Sequence, residues 1–201
     1  MKVAGIVLAA GAARRMGSNK LLMALEGESL LRRAARRALE AGLDPVVVVV
    51  GHEAERARAE LHGLGCTAVD NPEHARGIAT SLSAGVRALP AEAEAAVVLL
   101  ADMPLVDAAM IRAVVARHAE TGAPVVASRY GEATAPPTLY HRSLFPELSG
   151  GEGRGREVVR RHRGEAAWVD WPEAALADVD VPGDLERAGA QPPFQHGKVP
   201  R

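Results

Sequence analysis

Val3-Ala4-Gly5-Ile6-Val7-Leu8-Ala9-Ala10-Gly11-Ala12-Ala13-Arg14-Arg15-Met16-Gly17-Ser18-Asn19-Lys20 decides how the rest of the chain is read. Residues 3–9 are a short apolar run of the kind that opens a parallel α/β sheet, and the pattern predicts a strand buried on both faces. From Ala10 the chain enters a loop dominated by small residues, glycine and cations. Small residues let backbone N–H groups approach an anion, and glycines such as Gly11 and Gly17 can take positive φ. Arg14, Arg15 and Lys20 supply positive charge. A loop at the carboxyl end of a sheet strand is where open α/β proteins bind ligands. The residues describe a polyphosphate cradle.

Two common cradles are excluded by spacing. A Walker loop places Gly-Lys-Ser/Thr four residues after its first glycine. Here five residues separate Gly11 from Gly17, and Lys20 lies three beyond Gly17. The loop also has no Gly-x-Gly-x-x-Gly dinucleotide fingerprint. The order Leu8-Ala9-Ala10-Gly11-x-x-x-Arg15-Met16-Gly17-x-x-Lys20 instead resembles the signature of the molybdenum cofactor cytidylyltransferase family and its guanylyltransferase relatives, in the MobA-like NTP transferase superfamily.

Composition narrows the class. At 201 residues a single domain is the default. A formal net charge of −1 leaves no basic face for nucleic acid and no polybasic membrane patch. No apolar stretch approaches the ~20 residues of a membrane span. Met1-Lys2 leads straight into the strand, so no signal peptide is expected. Cys66 is the single cysteine, which excludes an intramolecular disulfide and a thiolate zinc site. A cytoplasmic location is the expectation.

Further along, Ser29 is a predicted N-cap, followed by Leu30, Leu31, Ala34, Ala35, Ala38 and Leu39 at helical spacing. Arg32, Arg33, Arg36 and Arg37 form the solvated face, and Gly42 ends the helix. Val46 to Val50 is a buried strand, an amphipathic segment runs to about Leu61, and Cys66 to Val69 is a third strand. This β-α-β-α-β rhythm predicts a Rossmann-like, doubly wound, mostly parallel sheet. Asn71 then ends a strand, and Gly77 precedes a helix carrying Thr80 and Ser81 in its first turn. Turn chemistry and capping account for these residues by themselves. Amides and hydroxyls at such a place can also bond a base edge or ribose.

Ala95 to Ala101 reads as the central strand, ending in Asp102-Met103-Pro104. A carboxylate at the tip of a buried strand, beside a phosphate loop, suits Mg²⁺, which takes one or two carboxylates plus substrate phosphates. Asp107 is the predicted cap of a helix from about Ala108 to Ala119. Strands are expected at Val125–Ser128, Thr138–Tyr140 after Pro136-Pro137, and Ala167–Val169 at an edge. The glycines around Gly151 and Gly155 open a helix through His162. The domain is expected to span residues 1–190, and from Gln191 the proline-rich, polar chain reads as a disordered tail.

The resemblance extends from Val3 to about Leu185. It covers the loop, the Asn71–Gly85 segment, Asp102-x-Pro104 and the stretch Asp178-Val179-Asp180-Val181-Pro182-Gly183-Asp184-Leu185. It implies Mg²⁺-dependent transfer of CMP from CTP to a phosphorylated acceptor of the molybdopterin type, with release of pyrophosphate. Leu8, Ala9, Ala10, Gly11, Arg15, Lys20, Asn71, Gly77, Ser81 and Asp102 are the nucleotide-binding residues it implies. Arg15, Lys20 and Asp102 are the catalytic ones. Asp102 and Asp180 are the implied metal ligands, with Asp178 and Asp184 as alternatives to Asp180. Partners implied are CTP, the acceptor and a transient molybdoenzyme or chaperone. Ala-Ala-Gly matches the cytidylyl branch; guanylyl relatives carry Ala-Gly-Gly. The chain departs from the family at His74, where Trp is frequent. It also departs at Gly151 and Gly155, where the family's Asp and Arg are expected, which leaves the acceptor open. GTP, another phosphorylated small molecule, and a non-catalytic cofactor-delivering chaperone are the remaining alternatives.

Overall fold

The computed structural model describes residues 1–11, 19–150 and 155–176. Strand β1 (Val3–Ala9) is buried at every residue, as its apolar run predicts. Its side chains alternate between two cores. Val3, Val7 and Ala9 enter one cluster, and Ala4, Ile6 and Leu8 the other. The chain continues through a hairpin of β2 (Ala24–Leu25) and β3 (Glu28–Ser29) into α1 (Leu30–Glu40). Ser29 caps α1 by accepting from the Arg32 amide at 3.2 Å, and Gly42 (φ +84°) follows its end.

Next come β4 (Val46–Val50), α2 (Ala54–Glu60), β5 (Cys66–Asp70) and α3 (Ile78–Arg87). These are followed by β6 (Ala95–Leu100), α4 (Ala108–Thr121) and β7 (Val125–Tyr130). The described chain ends with β8 (Ala133–His141), α5 (Phe145–Ser149), α6 (Gly155–Arg161) and β9 (Ala167–Trp171). Asp107 caps α4 through the Met110 amide at 2.9 Å, as expected.

The seven-stranded sheet has the order β5-β4-β1-β6-β8-β7-β9, with β8 antiparallel to both its neighbours and the other pairings parallel. Helices α1, α2 and α4 cover one face through Leu31, Ala57 and Met110. Helices α3, α5 and α6 cover the other through Leu82, Leu148 and Val158. This is the doubly wound architecture of a single α/β domain. Because α1 leads from β1 to β4 on one side, and β6 lies on the other, the strand order reverses between β1 and β6.

One strand differs from its predicted extent. β8 begins at Ala133 and runs through Pro136-Pro137, five residues before the expected Thr138. Proline has no amide to donate. Pairing with β6 starts only at Thr138, and the β7–β8 register shifts between Val126 and Ser128. The proline carbonyls are bonded by side chains instead. Ser128 Oγ donates to Pro137 O, and the Tyr130 hydroxyl to Pro136 O, each at 2.7 Å.

Candidate active site

The register brings four strand ends to one edge. Asp70 pairs with Val50, Val50 with Ala9, and Leu8 with Leu100. Asn71, Gly51, Ala10-Gly11 and Ala101-Asp102 therefore lie in a row. Backbone bonds tie the row together: Asn71 N to Val50 O (2.8 Å), His52 N to Ala10 O (3.4 Å) and Ala101 N to Leu8 O (3.2 Å).

Lys20 and Asp102 meet at the switch point, with Nζ 2.8 Å from Oδ2. Lys20 opens a short 3-10 turn, Lys20–Leu22, whose cap is Asn19. The Asn19 side-chain Oδ1 accepts from the Leu21 amide at 3.2 Å inside the protein. Asn19 was not singled out by the sequence reading; its signal was a capping residue directly before an apolar run. Both side chains of the pair are partly exposed, 17 % for Lys20 and 25 % for Asp102, so substrate can reach them.

The small residues of the loop act differently from one another. Ala10 is 2 % exposed, and its methyl packs with Ile6 and Leu82 in the α3-side core. It does not stand in open space. Opposite it, a Cβ on Gly51 would lie 3.0 Å from the Ala10 methyl and 2.7 Å from the His74 ring. His74, where the family often has Trp, thus packs against glycine, with Nδ1 3.1 Å from Asn71 O. Gly11 does not use the left-handed conformation. Among the described residues no atom lies within 4 Å of where a Cβ would be.

Asn71 is buried and fully engaged. Its Nδ2 donates to Thr80 Oγ1 and Ser81 Oγ, both at 2.9 Å, and its Oδ1 accepts from the Glu73 amide at 3.0 Å. Ser81 is also buried. These two side chains hold the turn before α3 in shape. Gly77 is the exposed piece of that turn, at φ +117°, a conformation that favours glycine. Beyond Asp102, a cavity of about 280 Å³ opens between β6, β8, α3 and α6.

Arg15 and Asp180, with Asp178, Asp184, Gly17, Gly151 and the tail from Gln191, lie outside the described residues. Among the described residues no three His, Cys, Asp or Glu side chains gather as a metal cage. The donor set nevertheless fits magnesium. Mg²⁺ prefers hard oxygen, few protein carboxylates and substrate phosphates. Asp102 offers such an oxygen, and a cation, the Lys20 ammonium, already sits against it. No helix among the described residues is long and apolar enough to cross a membrane.

A doubly wound sheet with a lysine-closed loop and an aspartate at its switch point defines an α/β nucleotidyltransferase. The chain belongs to the MobA-like NTP transferase domain family, whose model matches residues 5–166. It is 33 % identical to the purine catabolism protein PucB of Bacillus subtilis (strain 168), over 90 % of this chain and 93 % of PucB. It is 38 % identical to the bifunctional protein GlmU of Anaeromyxobacter sp. (strain K) over 61 % of this chain, a match that spans only 26 % of GlmU. Among solved structures, Rv0371c of Mycobacterium tuberculosis H37Rv superposes with a TM-score of 0.80 at 26 % identity, covering 92 % of this chain and 96 % of Rv0371c. A structure of Rv0371c in complex with manganese superposes with a TM-score of 0.71 at 27 % identity, covering 93 % and 97 %.

Proposed function

We propose that this enzyme moves CMP from CTP to a phosphorylated small molecule, a molybdopterin-type acceptor, and releases pyrophosphate. The observation that carries the reading is the Lys20–Asp102 pair at the switch point, 2.8 Å apart beside a small-residue loop. An acceptor phosphate, with a second pKa of about 6, is ionised near neutral pH and needs no general base. Its oxygen forms a bond to the α-phosphorus of the nucleotide, the bond from that phosphorus to the bridging oxygen breaks, and pyrophosphate carries the electron pair away. The protein's task is position and charge.

In this reading Leu8, Ala9, Ala10 and Gly11 form the strand end and loop that carry the triphosphate. Gly11 leaves room for close approach. Arg15 and Lys20 balance the charge that develops on the transferring phosphate. Asn71 and Ser81 hold the turn rigid, so that the exposed Gly77 backbone faces the nucleoside. Asp102 and Asp180 would hold Mg²⁺, and the manganese complex of Rv0371c supports a divalent ion in this fold. When bound, the ion supplies charge neutralisation between phosphates. The contact between Lys20 and Asp102 favours catalysis over a purely carrier role. CTP is assigned on the Ala9-Ala10-Gly11 spelling.

The test is pyrophosphate release with Mg²⁺, molybdenum cofactor and each of CTP, GTP, UTP and ATP in turn. Release with CTP above the others is expected. Preference for GTP would overturn the base assignment, and no release with any nucleotide would overturn the reading.

A further inference from the structure

The corner between β4 and α2, residues 51–53, reaches both ends of the loop that runs from β1 to Lys20. The His52 amide donates to Ala10 O at 3.4 Å, where β1 ends. Gly51 lies too close to the Ala10 methyl and the His74 ring to carry a side chain. Glu53 follows, and α2 packs on the Lys20–Leu22 turn. The Glu53 backbone is left-handed, at φ +52° and ψ +42°. Glycine or asparagine takes that conformation at lower cost. Backbone strain of this kind persists where the surroundings over-determine it, and it gathers at functional sites.

The Glu53 side chain meets the far end of the loop. Asn19 is buried, and its Oδ1 is taken by the Leu21 amide at 3.2 Å. Its remaining polar group is the Nδ2 amide, which can only donate. That side chain bonds the Glu53 carboxylate. Arg56 Nη1 holds Glu53 Oε1 from one turn along α2. Arg56 first, with His52 and Asn19 after it, keeps the Glu53 carboxyl below its ordinary pKa of 4.5 against the opposing cost of burial. The carboxylate is therefore ionised and accepts from both partners. Its side chain is 27 % exposed and that of Arg56 65 %, so the carboxylate faces the protein and its helix partner faces solvent.

We propose that Glu53 is a positioning residue for nucleotidyl transfer: by holding Asn19 it fixes the turn that begins with Lys20, and so keeps the Lys20 ammonium against Asp102. This rests on the nucleotidyl-transfer reading above. The path is short. Glu53 binds the Asn19 side chain, Asn19 caps the Lys20–Leu22 turn, and Lys20 Nζ lies 2.8 Å from Asp102 Oδ2. The two ends of the Asn19 amide do different work: Oδ1 shapes the turn, and Nδ2 ties it to the corner. The same corner holds Ala10 through the His52 amide, so the strand end and the lysine are set from one place. Position matters here because a displacement of about 1 Å can cost about 10²-fold in rate. A glycine at 53 would remove the strain and the anchor together, so its effects on stability and on the site should separate.

Acetylation of the full chain with acetic anhydride, read by mass spectrometry at Lys20 with Lys2 as the internal reference, tests this without any nucleotide. Glu53→Gly should speed labelling at Lys20 by about tenfold, the scale of losing one hydrogen bond to a charged group, and leave Lys2 unchanged. Its melting temperature should not fall, since glycine suits φ +52°. Asn19→Asp keeps the cap oxygen, loses the donor, and should speed Lys20 in the same way. Adding Glu53→Gln to Asn19→Asp reverses donor and acceptor and should restore slow labelling. In pyrophosphate release, Glu53→Gly should lower kcat roughly 10- to 100-fold with a smaller change in the nucleotide KM. Labelling of Lys20 at the wild-type rate in Glu53→Gly overturns the proposal. So does a double variant that stays fast, or equal acceleration at Lys2 with a lower melting temperature. If the wild type releases no pyrophosphate with any nucleotide, the nucleotidyl-transfer reading fails separately, and the labelling still decides whether Glu53 holds Lys20.

Discussion

Lys20 Nζ lies 2.8 Å from Asp102 Oδ2, although the two residues belong to loops that follow strands far apart in the chain. The parallel pairing of β1 with β6, Leu8 opposite Leu100, is what brings them together.

Asp102→Asn should lower kcat by about 10²–10³-fold or more, the scale of removing one group aimed at developing charge. The fold should survive, because the side chain sits in a partly exposed turn and outside the core clusters. Steady-state pyrophosphate release at matched Mg²⁺, beside a thermal melt, checks both parts. Turnover like the wild type would remove Asp102 from the mechanism.

Lys20→Ala should cost about 10²-fold in kcat/KM, carried mainly by kcat. A rise in the nucleotide KM alone would mean that Lys20 binds ground state and transition state equally.

Asn71→Ala should destabilise the fold by about 1–3 kcal/mol, since it removes three hydrogen bonds at a buried node. Urea unfolding measures this. Ser81→Ala should cost less, because it removes one of the three. An Asn71→Ala protein as stable as the wild type would mean the node contributes nothing to the turn before α3.

Ala10→Gly should relax the CTP-over-GTP preference by less than about tenfold and destabilise by about 0.5–1 kcal/mol. The methyl is buried in the core, so its loss acts by loosening the loop rather than by opening space at the base. Competition kinetics with both nucleotides decides; a larger change would mean the methyl contacts the base directly.

The Glu28–Arg36 pair should give a pH-dependent contribution. Arg36 donates two bonds to Glu28, Nε to Oε1 at 2.8 Å and Nη2 to Oε2 at 2.7 Å, and these hold the carboxyl below its ordinary pKa of 4.5. A carboxyl with a depressed folded pKa adds stability above its unfolded value and loses it as pH falls through the folded one. Glu28→Gln should thus lower stability by about 1 kcal/mol at pH 7, with the difference from wild type shrinking as pH falls below 4.5 and through the lower folded-state pKa. A difference that stays constant as pH falls until the wild type itself unfolds would rule the charge out as its source.

Much of this molecule was legible in the chain because its signals are local. The apolar runs at Val3–Ala9 and Val46–Val50 lie on strands buried on both faces, and Ser29 and Asp107 cap the helices they precede. A capping side chain bonds amides two or three residues away, so no knowledge of the fold is needed to read it. Asp102 could be placed at a strand tip for the same reason. The tertiary structure decided what depends on residues distant in sequence. It turned the Ala10 methyl inward, because Gly51 and His74 pack on the strand beside it. It set Asn71 and Ser81 against each other, because α3 folds back over the end of β5. It carried β8 through two prolines, because Ser128 and Tyr130 on β7 bond the carbonyls the ladder leaves over. It kept residue 155 a glycine, because the Tyr140 hydroxyl from β8 occupies the space a side chain would need.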